Sequence, residues 1–132
     1  MKTVLSICYF AHNTKLGGYV LSLNDEIFNH ELDDGDLSIL EIIKNTTSEY
    51  LGIDRNWPIY YKNIGILETE KQFNDDSMCG AHFEKVIHII YATYFQNVPK
   101  ANNGAKWIDI TKMSELDEVS QNIIRLSAIQ RG

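Results

Sequence analysis

Residues 83–95, FEKVIHIIYATYF, are the most strand-like run in the chain. Val, Ile, Tyr, Phe and Thr, whose branched or aromatic side chains suit a pleated surface, dominate it. A run of this length and character belongs inside a sheet, so the rest of the fold has to be organised around it. Residues 3–11 carry the same chemistry and read as a strand. NTKLGG at 13–18 is a turn, and YVLSLND at 19–25 resumes strand-like alternation. EIFNHEL at 26–32 supplies a short third strand. WPIYYKNIGIL at 57–67 reads as another, with Pro58 near its start, where a missing backbone donor does least harm. Residues 68–81 are polar, contain Asp75, Asp76 and Gly80, and read as a long exposed loop.

The period changes twice. DDGD at 33–36 is a turn in which Asp36 is placed to cap a helix over 36–51. Along that helix Ile39, Ile43, Thr47 and Tyr50 trace one face, with Leu40 and Leu51 beside them. Gly52 supplies the left-handed residue that ends many helices. After a loop at 97–106 and a short extended entry, WIDIT, Ser114 with Asp117 marks a second helix over 115–130. Its apolar stripe is Val119, Ile123, Leu126 and Ile129. The expected fold is therefore α/β (α+β): one domain, residues 1–132, with a mixed β-sheet flanked by helices.

Charge narrows the function. A net charge of −6 opposes non-specific attraction to a phosphate backbone, so a nucleic-acid-coating role is not expected. Cys8 sits in an apolar run and reads as a small buried hydrophobe; Cys79 has unlike surroundings, and no CxxC spacing occurs. The apolar run near the N-terminus is short for a secretory signal, and no segment approaches the roughly 20 apolar residues that span a bilayer. A cytoplasmic location and no membrane association are the expectations. GxSxG, HExxH, Walker and GxGxxG patterns are all missing, which removes serine-hydrolase, zincin and P-loop readings.

The first helix ends in NTTSEYLGI at 45–53, after the acidic turn DDGD. That arrangement, with the strand HIIYATYF and the segment KWIDITKMSEL leading into a terminal helix, resembles the Nudix hydrolase family along most of the chain. The family's motif helix carries Arg-Glu-aliphatic-x-Glu-Glu-x-Gly-aliphatic; the residues standing there are Asn45, Thr46, Thr47, Ser48, Glu49, Tyr50, Leu51, Gly52 and Ile53. The turn stands one residue farther from the helix end than the motif's spacing, and the motif's first glycine is not matched at His30 or Glu31. The resemblance implies a Nudix-like fold with a degenerate motif. It also implies that Glu49 is the candidate catalytic residue and Mg²⁺ ligand, with Asn45, Thr46 and Tyr50 as candidate ligand-binding residues on the same helical face.

Mg²⁺ takes oxygen ligands and needs negative charge beside an anionic substrate, and only one of those residues is anionic. Asp36 lies about 20 Å from Glu49 along a helix and cannot replace the missing charge there. His82, Glu84 and His88 share strand parity, but about 20 Å separates the two histidines on a straight strand, too far for one ion. Tyr60 and Tyr61 must point to opposite faces, leaving at least one to reach solvent or a ligand; Trp57 and the other tyrosines read first as core.

Within what the resemblance implies, the missing carboxylates favour a nucleotide-derivative binding or interaction module with weak or no hydrolysis, able to meet a protein partner through the same cleft or the sheet edge. The alternative is a divergent Mg²⁺-dependent Nudix hydrolase cleaving a nucleoside diphosphate derivative, with Glu49 joined by Asp75, Asp76 or Glu84.

Overall fold

The run expected inside a sheet is found there, between two other strands. The computed structural model describes residues 1–13, 17–33, 35, 38–74 and 81–130. Its strands are β1 (Lys2–Asn13), β2 (Gly17–Ser22), β3 (Phe28–Glu31), β4 (Lys62–Asn74), β5 (Ala81–Phe95) and β6 (Lys106–Asp109). The helices are α1 (Ile39–Leu51) and α2 (Glu118–Gln130), the latter preceded by a 3₁₀ segment at Ile110–Glu115. The sheet runs β4-β5-β1-β2-β6, and β3 also pairs with β1. Among the described strands only β1 and β5 pair in parallel, with Val4 beside His88 and Ser6 beside Ile90; β4 lies antiparallel to β5.

Alternation along β1 explains why the sheet has two covered faces. Leu5, Ile7 and Tyr9 join Leu21, Phe28, Ile42 and Ile43 in a core beneath α1. Cys8 and Phe10 face the other way, joining Val20, Ile90, Ile123 and Ile124 beneath α2. A strand covered on both faces reads as a nearly continuous apolar run, as this one does from Val4 to Ala11 with Ser6 as the interruption. Cys8 is fully buried, and burial pushes its thiol up to about 12, so it stays neutral. Cys79 lies outside the described residues.

Several expected boundaries move. β4 starts at Lys62, because the chain turns at Asp54–Trp57 and passes through Pro58 before it can pair. It then continues to Asn74, where a loop was expected. Cross-strand partners override the polar composition: Glu68 forms a 3.0 Å ion pair with Lys85 of β5. Ser38, not Asp36, caps α1, accepting from the Glu41 N–H. Asp36 itself lies outside the described residues, as do residues 14–16 of the turn expected at 13–18 and Asp75, Asp76 and Gly80; Asn13 and Gly17 pair with each other at the ends of β1 and β2.

The second helix begins at Glu118 rather than 115, because Asp109 caps the 3₁₀ segment that occupies Ser114. The buried faces are also turned slightly. Ile43 and Ile123 are fully buried as expected, whereas Ile39, Val119 and Leu126 lie partly buried at the margins; Ile42, Ser120, Ile124 and Ser127 fill the interior instead. The side chain of Ile129 lies outside the described residues. No helix among the described residues is long and apolar enough to cross a membrane.

Candidate functional site

The expected site residues do lie together at the end of α1, and much of their bonding serves the fold. Thr46 donates its hydroxyl to the Ile42 carbonyl at 2.8 Å, a local helix bond. Tyr50 lays its ring against Phe28 of β3, centroids 4.8 Å apart, and is half-buried. Asn45 is also half-buried, while the Glu49 side chain is exposed. The last carbonyls of α1 are capped from a distant loop: the Asn102 N–H donates to Tyr50 O at 2.8 Å, and Asn103 Nδ2 to Glu49 O at 2.7 Å. Behind this face, the buried Thr47 hydroxyl donates to Ile43 O and sits 2.8 Å from Tyr9 Oη and 3.1 Å from Tyr61 Oη. Tyr61 therefore turns inward and Tyr60 outward, the split that their adjacency requires.

Glu84 does not join Glu49. It shares the parity of Val86 and Ile90 on β5, the α2 face of the sheet, whereas α1 covers the other face. Among the described residues, no group of three His, Cys, Asp or Glu side chains is arranged to hold a metal.

A different constellation occupies the α2 face. Strand alternation aims Val4 of β1, Asn29 of β3, Thr69 of β4 and His88 of β5 toward one cleft of about 500 Å³, closed on one side by Asp117 and Val119 at the start of α2, with the fully buried Ser6 of β1 beneath, bonded to Asn29 and His88. The hydrogen bonds on its floor have a fixed direction. Asn29 Nδ2 donates to the Ile27 carbonyl at 3.2 Å, so its Oδ1 faces Ser6. Ser6 must then donate to that oxygen, at 2.7 Å. Its hydroxyl proton being committed, Ser6 Oγ accepts from His88, so Nδ1, 2.9 Å away, carries the imidazole proton. His88 Nε2 is left without a proton and accepts from Thr69 Oγ1 at 3.3 Å.

A polar chain thus crosses β4, β5, β1 and β3 at right angles to the strands. The Ser6–His88 contact is not an activated nucleophile, because the imidazole donates to the serine rather than taking its proton. Burial holds the His88 imidazole below its ordinary 6.5 and so favours the neutral form, partly opposed by the charge of Asp117. Around the floor stand carboxylates of Glu26, Glu70 and Asp117, with Glu31 paired to Lys2 at 4.0 Å.

Sequence reasoning missed this cleft. Its signal was a polar residue flanked by apolar ones within a strand, at Ser6 and at His88; Asn29 and Thr69 stand among other polar residues and gave none. A wider concavity of about 880 Å³ at the far end of β5 is less convincing as a site. Among the described residues Asp54 is its only charged lining residue, and Trp57 and Tyr60, 66% and 79% exposed, stand at its edge. Convergent polar groups and a perturbed imidazole favour the smaller cleft.

No protein-family model and no curated protein matches the chain. Solved structures match it over nearly its whole length. The C-terminal domain of mouse MUTYH, solved in complex with human PCNA, superposes with a TM-score of 0.68 at 12% identity, covering 99% of this chain and 90% of that one. The Escherichia coli dihydroneopterin triphosphate pyrophosphohydrolase gives 0.65 at 13%, covering 96% and 92%. A NUDIX hydrolase of Listeria monocytogenes gives 0.56 at 10%, covering 96% and 92%. At such identities the likeness is one of fold. The fold is Nudix-like.

Proposed function

Starting from a Nudix-like fold, we propose that this chain binds a nucleotide derivative with weak or no hydrolysis, seating the base edge in the His88 cleft. The observation that carries this reading is the directed hydrogen-bond chain. It leaves the cleft walled by acceptors: Thr69 Oγ1 and the carboxylates of Asp117 and Glu26. A wall of acceptors selects a ligand edge made of donors, and a guanine-type edge presents adjacent N–H groups that a carboxylate accepts in the manner of an arginine fork. The same carboxylates repel a phosphate, which turns the anionic end of the ligand out of the cleft.

Mg²⁺, which the family resemblance implies, is poorly matched by the donors at the end of α1. Glu49 brings a charge, but the Thr46 hydroxyl is engaged with Ile42 O and the Tyr50 ring is packed on Phe28. Oxygen-rich coordination of a hard cation is not supplied by those side chains. No chemical step is therefore assigned to a metal, and the competing reading, a Mg²⁺-dependent hydrolase, rests on Glu49 alone among them.

Thermal shift with guanosine and guanosine diphosphate, with and without Mg²⁺, tests binding, since a ligand specific for the native state raises its stability. A shift that does not need Mg²⁺ is expected. Phosphate release from the diphosphate and from nucleotide sugars tests hydrolysis. We expect none in the wild type or in Glu49→Gln, which should change stability by less than about 1 kcal/mol, as at most exposed positions. Robust turnover that vanishes in Glu49→Gln would establish the hydrolase instead.

A further inference from the structure

We propose that His88 is a proton-controlled selector: when its imidazole is protonated, the floor of the cleft changes from acceptor to donor and the base edge is rejected. The inference rests on the cleft being the binding site for that edge, and it follows from the order of the hydrogen bonds. In the neutral state the Thr69 O–H is directed at His88 Nε2, leaving oxygen lone pairs toward the cleft. Nδ1 is already a donor to Ser6, and Ser6 to Asn29, so that side of the chain cannot reverse without breaking the Asn29 bond to Ile27 O.

An added proton can therefore go only to Nε2. Thr69 Oγ1 must then accept, and its own proton swings away from His88 into the cleft. No bond between heavy atoms changes and no group moves far; a single hydroxyl rotates, and the site gains one positive charge and one donor. A ligand that offers N–H groups then meets a donor and a cation where it had met an acceptor.

The charged side chains that line the cleft with this imidazole come from its neighbouring elements: Lys2 on β1, Glu31 on β3 with Glu26 before it, Glu70 on β4 and Asp117 before α2; on β5 itself Glu84 shares the same face four residues away, beside the Met1 amine. Their preponderance of negative charge supports the protonated form, and burial opposes it. Burial prevails, with the His88 value lowered from 6.5. The unfolded chain consequently takes up a proton near 6.5 that the native protein refuses until lower pH. Native stability is lost as pH falls through that interval and is fully present above it.

The test has two readouts, one of which needs no ligand. Nitrogen-detected NMR of the imidazoles in the free protein should show His88 as the Nδ1–H tautomer at neutral pH, with a midpoint below that of a free histidine. An Nε2–H tautomer, or an imidazole that stays neutral until the protein unfolds, overturns the proposal. Replacing the hydroxyl by Thr69→Val should lower the midpoint further, because the bond to a charged imidazole is the stronger one; an unchanged midpoint also overturns it.

Calorimetric titration with guanosine, which has no group ionising in this range, supplies the second readout. One pH unit below the measured midpoint, affinity should be about tenfold weaker than at neutral pH, since about a tenth of the sites remain neutral. His88→Gln should remove most of that difference, leaving only what the carboxylates contribute to both proteins. An equal loss in His88→Gln overturns the selector. If guanosine binds at neither pH, the nucleotide reading of the cleft fails, and the NMR arm still decides the hydroxyl switch.

Discussion

The Thr47 hydroxyl shows how much one buried polar atom can carry. It donates to Ile43 O and takes the phenol of Tyr9, with Tyr61 a third partner, so two tyrosines are held against α1 by one oxygen. Both phenols are pushed above their ordinary range by burial, partly opposed by the bond to Thr47, and stay neutral. Thr47→Val keeps the shape but strands the Tyr9 phenol inside the core. We expect a loss of about 1–3 kcal/mol in denaturant melts, largely recovered by Thr47→Ser. The neighbouring Ile43 is fully buried in the same core. Ile43→Ala should cost about 2–5 kcal/mol through the transfer loss and the cavity left behind. A cost below half a kilocalorie would mean that the α1 core relaxes far more than a close-packed interior does.

Among elements, α1 depends on its surroundings for its end. Gly52 adopts φ +65°, and a Cβ there would stand 3.3 Å from Asn102 Nδ2, in the loop that caps the helix. Gly52→Ala should therefore destabilise by about 1–2 kcal/mol, from the left-handed backbone together with pressure on that loop. Hydrogen exchange would show the effect concentrated at residues 49–52; a uniform change would count against it. This helix end was legible in the sequence because its pattern is local: period, cap glycine and motif spacing lie within one window. β4 was not, because Glu68 is held in a strand by Lys85, which is distant in sequence. The start of α2 was missed for a related reason, since Asp109 organises a 3₁₀ segment where only a cap was expected. The His88 cleft was least legible of all. Ser6, Asn29, Thr69 and His88 lie on four different strands, Asn29 and Thr69 among other polar residues, and the register of those strands brings them together.

For the whole molecule, the decisive pairing is that of β1 with β5. The two are parallel neighbours, and Ser6 meets His88 across 82 residues of chain. β1 therefore leaves the ribosome long before its principal partner. At the usual elongation rates of about 5–20 residues per second, an interval of roughly 4–16 s separates them. During that interval the apolar stretch Leu5–Ala11 has β2 and β3 for partners but neither β5 nor α2 to cover it. A nascent chain halted after residue 74 should be cut readily by protease and retained by chaperones, whereas the complete chain should resist both. Protection of the halted chain would mean that β1 is covered without β5. The strand that gives the native sheet its centre is thus the segment most exposed while the protein is being made.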